Sequence, residues 1–299
     1  MEQMEIKISE KYHKKTIKEI LQDLKFSARL ITKLKAKEDG ICVNGERKTV
    51  RWTVTNGDVL TLRIEDLKST PITPTHLPVT VLWEDEWYTA FAKVAGLPTH
   101  PARIRHTDTL ASRVCALYEG QNFVFRPLTR LDRDTSGIVI CAKNQLSANK
   151  LSELLEKREV EKEYIAVCLG KINEDSGEIT YNIHRPDKTS ILRRAMAENS
   201  VGESAKTLYT VLKRTENATL VKLNLITGRT HQIRVHMNAI GHPVLSDTLY
   251  SVLSEHIERQ ALHAHRVSFT HPFTNEKVCI TCPLFPDMEE CISSIFGEA

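Results

Sequence analysis

The segment RLDRDTSG, residues 130–137, combines two arginines with two carboxylates and ends in a turn signal. Asp132 or Asp134 in such a segment could act as a nucleophile or general base, could ligate Mg²⁺, or could cap the turn that follows. Asp132 follows Leu131 and lies five residues before the apolar run GIVICA, which places it at the mouth of a predicted core strand. These eight residues alone favour catalysis and turn capping about equally.

A second segment, TGRTHQIRVHMNAIGHPVLSD at residues 227–247, is dense in arginine, histidine and glycine. Polar and apolar residues alternate from His231 to His236, which predicts an extended strand with a polar face. Arginine is the preferred partner of carboxylates and phosphates because its planar guanidinium donates two parallel hydrogen bonds. A functional role is therefore favoured over a solvated strand or a merely structural network. One of these arginines beside a carboxylate would keep that carboxylate ionised.

Several familiar catalytic patterns are absent: the sequence has no Walker loop and no GxGxxG, GxSxG or HExxH motif. Nucleotide hydrolysis, nicotinamide redox chemistry and zinc hydrolysis are therefore disfavoured. The seven cysteines are an odd number scattered over a long chain, which indicates reduced thiols rather than a disulfide framework. Cys279 and Cys282 form a CxxC inside the apolar alternation KVCITCPL, so we interpret them as strand residues and expect no metal and no cofactor.

Length and composition are typical of a folded protein with two domains. The chain has 299 residues, of which 41% are hydrophobic and 26% are charged. No apolar run approaches the roughly 18 to 20 residues of a membrane helix, and the charged N-terminus lacks the apolar segment of a secretory signal. We therefore expect a cytoplasmic, monomeric protein with no membrane partner.

Positive charge is concentrated in the N-terminal part of the chain. Residues 1–63 contain 14 Lys or Arg and 9 Asp or Glu, a net charge of +5, whereas the whole chain carries +3. This asymmetry indicates that the N-terminal segment meets a polyanion, most simply nucleic acid. The candidate RNA-binding residues of this segment are Lys14, Lys15, Arg29, Lys33 and Lys37.

Local patterns divide the chain into two folded parts. Apolar residues at helical spacing predict a first helix near residues 17–24, and a second helix is predicted to begin with Ser27 as its N-cap. Asn44 and Gly45 between β-prone residues predict a tight hairpin. The proline-rich segment STPITPTHLP predicts a linker. The predicted boundaries are 1–66 for an N-terminal domain, 67–77 for the linker and 78–299 for a second domain.

Short β-like runs dominate the second domain, and helical stretches such as LSANKLSELLEKREV lie between them. The order of strands and helices shows no regular βαβ rhythm. We therefore predict an α+β domain around a largely antiparallel or mixed sheet, rather than a doubly wound fold.

Six segments, in this order, carry a resemblance to a known family: FAKVAGLPTHPA, RLDRDTSGIVICAKN, EKEYIAVCLG, SAKTLYTVL, TGRTHQIRVHMNAIGHPVLSD and LHAHRVSFTHPFTNE. Over residues 78–288 the chain resembles the RluA-like, large-subunit type of RNA pseudouridine synthase. Residues 12–65 resemble the S4 RNA-binding domain that many members carry in front. The resemblance implies a pseudouridine synthase fold with a central, mostly antiparallel mixed sheet, plus a small N-terminal α/β S4-like domain.

The same resemblance implies roles for individual residues. Asp132 matches the catalytic aspartate, whereas Asp134 falls on a variable position of the motif. Tyr164 matches the tyrosine that stacks on the target base, and Arg229 matches the arginine that pairs with the aspartate. Arg130 matches an arginine near the flipped nucleotide. The further candidate RNA contacts are His231, Gln232 and Arg234.

Three positions depart from the family pattern. Thr129 replaces the usual histidine, Val94 replaces the proline of KPAG, and Ser246 replaces a common glycine before Asp247. None of them alters the matched aspartate, tyrosine or arginine. We expect Thr129 to change contacts to RNA.

The implied reaction cuts the N1–C1′ bond of a uridine in RNA, turns the uracil and rejoins it through C5. The aspartate either attacks C1′ or removes the C2′ proton to give a glycal, and the sequence does not decide between the two. Ribosomal RNA is the preferred substrate, because family members with an S4 domain lean that way, and tRNA is the alternative. The competing functions are a catalytically silent RNA-binding or ribosome assembly factor and hydrolytic removal of uracil.

Overall fold

The computed structural model describes residues 4–24, 26, 28–63, 72–101, 108–121, 123–187 and 189–297, with the side chain of Arg29 outside that description. The helices are α1 (Ile17–Asp23), α2 (Ala28–Ala36), α3 (Leu110–Leu117), α4 (Gln145–Glu156), α5 (Gln232–Ala239) and α6 (Pro286–Phe296). The strands are β1 (Met4–Lys7), β2 (Ile41–Val43), β3 (Glu46–Arg47), β4 (Val59–Leu62), β5 (Thr80–Glu84), β6 (Tyr88–Lys93), β7 (Ser136–Ala142), β8 (Glu161–Leu169), β9 (Ser176–His184), β10 (Arg194–Met196), β11 (Glu203–Arg214), β12 (Ala218–Leu225), β13 (Leu262–Thr270) and β14 (Lys277–Thr281).

The N-terminal unit, residues 4–63, contains α1, α2 and a four-stranded antiparallel sheet in the order β1-β4-β2-β3. Thr16 caps α1, because its hydroxyl accepts the Glu19 N–H at 3.3 Å and the Glu19 carboxylate accepts the Thr16 N–H at 2.7 Å. Asn44 and Gly45 have φ values of 52° and 81°, as a tight hairpin requires, and they connect β2 to β3. The predicted helices and hairpin are confirmed, whereas Ser27 lies outside the described residues.

Apolar contacts join the N-terminal unit to the rest of the chain. Ile17 and Ile20 of α1 and Leu34 of α2 are buried against the small sheet. Leu146, in the first turn of α4, is buried in the same cluster. The predicted linker lies partly outside the described residues, and the predicted domain boundaries stay a prediction.

The large sheet has ten strands in the described part of the chain. Nine of them follow the order β10-β9-β11-β12-β8-β13-β7-β6-β5, and β14 pairs with β13. Only the β7–β13 pair is parallel among these described strands. The predicted fold class, α+β around a mostly antiparallel mixed sheet, is therefore confirmed.

Strand β7 is the central strand that leads out of the Asp132 loop. All seven of its residues are buried, and its apolar side chains alternate between two clusters on opposite faces of the sheet: Val139 and Cys141 on one, Ile138 and Ile140 on the other. Burial on both faces explains why its sequence reads as an unbroken apolar run.

Gly137 allows β7 to join β13 immediately after the Asp132 loop. Its φ of 113° is a region that L side chains rarely adopt, and a Cβ there would lie 2.2 Å from the carbonyl oxygen of Ala264. Ala264 is the residue that pairs with Gly137 in the parallel register. The turn signal in the sequence therefore marks a close approach of two strands.

The predicted extended strand at residues 231–236 is wrong. This segment forms α5, and every residue from Gln232 to Met237 is buried. Since polar and apolar side chains are buried alike, their alternation does not mark a solvent-facing side. Strands β1, β9 and β10 and helices α3 and α6 were not predicted from the sequence.

Cys279 is exposed in β14 and Cys282 is buried just beyond it. Among the described residues, no group of three or more His, Cys, Asp or Glu side chains is placed to hold a metal ion. None of the described helices combines the length and the apolar character needed to span a membrane.

Candidate active site

The loop before β7 presents Asp132 at the edge of the large sheet. Thr99 Oγ1 donates to the Leu131 carbonyl at 3.0 Å, and Gln260 Nε2 donates to Thr135 Oγ1 at 2.5 Å. The Thr135 N–H closes the turn by donating to the Asp132 carbonyl at 3.2 Å. Because Thr99, Thr135 and Gln260 are buried, water does not compete for these bonds. The loop is thus fixed on both sides of Asp132, whose side chain is 27% exposed.

Lys93, at the end of β6, supports the same loop from below. It is completely buried, and its Nζ donates to the carbonyls of Val94, Leu97 and Arg133 at 3.0, 2.8 and 2.8 Å. All three ammonium donors are therefore used. Burial lowers the pKa of Lys93 to about 7, against the opposing charges of nearby carboxylates. Lys93 contacts residue 94 through the backbone carbonyl of that residue. Val94 therefore supplies the same acceptor as the proline that is usual at this position.

Arg234 links Asp132 to a second, fully buried carboxylate. Its Nη1 donates to Asp132 Oδ2 at 2.9 Å, while Nε and Nη2 donate to the two oxygens of Asp247 at 2.6 and 2.7 Å. The Arg234 side chain is 5% exposed and that of Asp247 is 0% exposed. Burial alone would lower the pKa of Arg234, but the hydrogen bonds and charges of both aspartates outweigh burial and raise it. Asp247 therefore holds a permanent cation in position beside Asp132.

The prediction that Arg229 pairs with Asp132 is wrong. Arg229 is exposed in the turn before α5, where its Nε donates to the Ser204 carbonyl at 3.2 Å and its Nη1 contacts Glu203 at 3.4 Å. Arg234, in the helix, makes the pair with Asp132 instead. The error follows from the wrong secondary structure, because a helix turns Arg234 inward while the preceding turn leaves Arg229 at the surface.

His231 lies between Asp132 and Tyr250. Its Nε2 is 3.8 Å from Asp132 Oδ2, and its Nδ1 is 3.0 Å from the Tyr250 hydroxyl. Its backbone is left-handed, with φ 59° and ψ 19°, an uncommon conformation for a residue other than glycine. Burial lowers the pKa of His231, so the imidazole is neutral at neutral pH. The Tyr250 ring also lies 5.2 Å from the Arg234 guanidinium carbon, which favours the cation.

Tyr164 of β8 brings an aromatic ring to the same cleft. Its side chain is largely buried, and burial together with the negative charge of Asp132 raises the pKa of its phenol. The hydroxyl is therefore neutral at physiological pH. A neutral ring next to the aspartate is suited to contact an uncharged base.

The cleft around Asp132 has a volume of about 830 Å³. Clefts of ~300–1,000 Å³ accommodate ligands of nucleotide size. Arg130, exposed at the rim, lines it together with Arg229, and Thr129 lines it from the preceding loop position. Thr129 Oγ1 accepts the Ile140 N–H at 3.0 Å, so the residue that replaces the usual histidine is bonded to β7.

Two of the residues predicted to contact RNA are hydrogen-bonded to other protein groups in this arrangement. Gln232 is 2% exposed. Its Oε1 accepts hydrogen bonds from the Arg229 N–H at 2.9 Å and from the Thr227 hydroxyl at 2.7 Å. Its Nε2 donates to the Lys206 carbonyl at 3.0 Å. Arg234 is occupied by the two aspartates. The bonds of these two side chains fix the turn and the Asp132 carboxylate, and their contact with RNA stays a prediction. All three residues line the cleft, and the His231 side chain is 12% exposed compared with 5% for Arg234.

The predicted basic residues of the N-terminal unit lie on its surface. Lys14 is exposed, and Lys15, Lys33 and Lys37 are half-buried. The side chain of Arg29 lies outside the described residues. Lys93 and Asp247 were not among the predicted site residues. That their charged groups are buried is seen only in the folded structure.

Comparisons with known proteins point to one family. The sequence model described as RNA pseudouridylate synthase matches residues 88–239. The chain is 36% identical over 281 residues to the uncharacterized RNA pseudouridine synthase YjbO of Bacillus subtilis, covering 93% of this chain and 98% of that protein. It is 32% identical over 276 residues to the ribosomal large subunit pseudouridine synthase D of Haemophilus ducreyi, covering 87% and 82%.

A solved structure shares the fold. Human RNA Pseudouridylate Synthase Domain Containing 1 aligns with a TM-score of 0.58 at 25% identity, covering 75% of this chain and 90% of that one.

Proposed function

Since the chain belongs to the family of RNA pseudouridylate synthases, which are isomerases, we propose that Asp132 is its catalytic carboxylate. The observation that carries this assignment is the 2.9 Å hydrogen bond from Arg234 to Asp132 in a cleft that Tyr164 also lines. Arg234 is itself fixed by Asp247, so the guanidinium reaches the cleft already oriented. Such preorganised charge acts without reorganisation during the reaction.

Each part of the reaction has a matching group. The N1–C1′ bond breaks, the uracil turns, and a C5–C1′ bond forms; the proton leaves C5 and N1 regains one, so the product is an isomer. The Oδ1 oxygen of Asp132 has no partner among the described residues, whereas Oδ2 is held by Arg234. An oxygen of this carboxylate facing the sugar can either attack C1′ or remove the C2′ proton.

Base flipping brings the target uridine to Asp132. A uridine inside a helix cannot present C1′ to a carboxylate in a cleft, so it leaves its stack. Tyr164 offers a neutral ring to the flipped base, and Arg130 at the rim contacts the phosphates or fills the vacated space. His231, neutral and beside Asp132, contacts the same nucleotide through Nε2.

We further propose that the substrate is ribosomal RNA in the cytoplasm. The support is the relative from Haemophilus ducreyi, whose name places its activity on the ribosomal large subunit. The N-terminal unit acts as an S4-like RNA-binding domain, and its support is the net charge of +5 on residues 1–63 together with the exposed Lys14 and Lys18 around the start of α1. Phosphate contacts of this kind add affinity without reading sequence.

The direct test uses ribosomal RNA transcribed in vitro, which carries no pseudouridine. The RNA is incubated with the protein, treated with carbodiimide and mapped by primer extension. New stops at specific uridines of ribosomal RNA are expected. Stops on tRNA transcripts alone would overturn the proposed substrate, and RNA binding without a stop on either would overturn the proposed activity in favour of a silent RNA-binding factor.

A further inference from the structure

Trp52 is an exposed tryptophan on the N-terminal unit. Its side chain does not belong to the hydrophobic clusters of the described residues. It is 46% exposed, whereas the two other tryptophans are engaged: Trp83 packs edge-on against Phe269, and Trp87 stacks on Phe273 at 3.9 Å between ring centroids. An aromatic ring of this size in solvent is a platform for binding.

One basic side chain lies against this ring, and others are close to it along the backbone. The ammonium of Lys48 lies 4.2 Å from the centroid of the Trp52 ring. The backbone at Trp52 pairs with the start of α1: the Trp52 carbonyl accepts the Ile17 N–H at 2.9 Å, and the Val50 carbonyl accepts the Lys18 N–H at 2.8 Å. We call this surface the Trp52 surface. It comprises Lys14, Lys15, Lys18, Lys48, Arg51 and Trp52.

The positive charge of the Trp52 surface is only partly neutralised. Lys48 pairs with Glu46 at 2.7 Å, and the nearby Glu19 is used as the cap of α1. Lys14, Lys18 and Arg51 are exposed and form no ion pair with the described residues. Five cations face three nearby carboxylates, Glu19, Asp23 and Glu46, and the remaining positive charge favours a polyanion.

We propose that the Trp52 surface binds single-stranded RNA by stacking an unpaired base on Trp52 while the surrounding cations hold the adjacent phosphates. The proposal rests on the RNA-binding role proposed above for the N-terminal unit and specifies its ligand. A duplex would offer this surface only phosphates, since the faces of paired bases are covered by their neighbours. An aromatic ring within a basic groove is the arrangement that binds unpaired nucleotides without sequence preference.

The probe is a single-stranded oligouridylate of about twelve nucleotides, within the usual range of site sizes, and an RNA duplex of the same length is the comparison. W52A in the full-length protein is expected to weaken binding of the oligouridylate roughly tenfold, the scale of one stacked base, and to leave duplex binding within about twofold. W52F, which keeps an aromatic ring, is expected to restore most of the affinity.

Tryptophan fluorescence provides a second reading that needs no destabilising variant. The oligouridylate is expected to quench the component that W52F removes, and not the emission of Trp83 and Trp87. Equal oligouridylate affinity of W52A and wild type, an equal loss on the duplex, or unquenched Trp52 emission would each overturn the proposal. Pseudouridine formation by the wild-type protein is scored separately, so a failure here is distinct from a failure of the proposed function.

Discussion

The Asp132 cleft and the Trp52 surface both carry positive charge, but they hold it in opposite ways. In the cleft, Arg234 is buried to 5% side-chain exposure and matched by two carboxylates at hydrogen-bond distance. On the Trp52 surface, Lys14 and Lys18 stand in solvent. A buried, matched charge is fixed in direction and little screened by salt, whereas exposed charges attract a polyanion at a distance and weaken as salt rises. We therefore propose that the cleft serves the chemistry and that the surface supplies affinity.

The largest effect is expected when the carboxylate is removed from the cleft. Asp132→Asn is expected to abolish pseudouridine formation, because an amide neither attacks C1′ nor removes a proton, while RNA affinity changes by less than about threefold. Single-turnover rates and filter binding on the same transcript measure the two effects. Asp134→Asn is the matched control, since Asp134 pairs with Arg133 at the surface, and it is expected to keep its activity.

The two arginines of the TGRTHQIR segment provide the next test. Arg234→Gln is expected to lower the single-turnover rate by about a hundredfold or more, because it removes the cation beside Asp132 and leaves Asp247 buried without a partner. Arg229→Gln, which alters the exposed arginine of the same segment, is expected to cost less than about tenfold. Comparable losses in both variants would contradict the assignment of the pair to Arg234. Circular dichroism of both variants separates loss of fold from loss of rate.

A variant of the Trp52 surface tests the other half of the comparison. The triple variant K14Q/K15Q/K18Q is expected to bind RNA several-fold more weakly. The slope of log K against log salt is expected to become shallower by ~0.7 for each phosphate of a single strand that the variant no longer neutralises. The single-turnover rate at saturating enzyme should stay near that of wild type. An unchanged salt slope would contradict the proposed role of the N-terminal unit in binding RNA phosphates.

Lys93, buried beneath the Asp132 loop, also predicts a pH dependence of stability. Burial lowers the pKa of Lys93 to about 7, below its unfolded value of 10.5. Between these pH values the unfolded chain binds the proton and the folded chain releases it, so the free energy of unfolding contributed by Lys93 rises with pH by up to ~1.4 kcal/mol per unit. Urea unfolding of wild type and Lys93→Met from pH 6 to 10 tests this. The variant should lack this part of the rise, and parallel curves would contradict it.

Much of the fold was predictable because the signals were local. The capped helix at Thr16, the Asn44-Gly45 hairpin and the apolar run of β7 each depend on a few neighbouring residues. The helix α5 was not predictable from its sequence. A helix buried on all sides has no polar face, and the alternation of polar and apolar residues in this segment resembles that of a strand. Strand β9 was missed although Ile179, Tyr181 and Ile183 alternate with polar residues, whereas β10 has only three residues and is too short to show a period.

Within the site, Asp132 and Tyr164 were predicted through a resemblance, and their placement in one cleft agrees with it. The partner of Asp132 was misassigned, because Arg234 lies 102 residues away and sequence spacing does not determine which arginine of a segment turns inward. Asp247 and Lys93 lie in segments that match the family pattern, but no role was predicted for them. Their roles arise from burial, which is a property of the tertiary structure.

The central claim is that the cleft isomerises uridine in RNA through Asp132. It is tested most directly with RNA transcribed from uridine tritiated at C5, by following tritium release to water and free uracil in the same reaction. Wild type is expected to release tritium in proportion to pseudouridine formed, with no free uracil, and Asp132→Asn to release none. Free uracil that keeps its C5 tritium, with no tritium released to water, or equal tritium release by Asp132→Asn, would contradict the account.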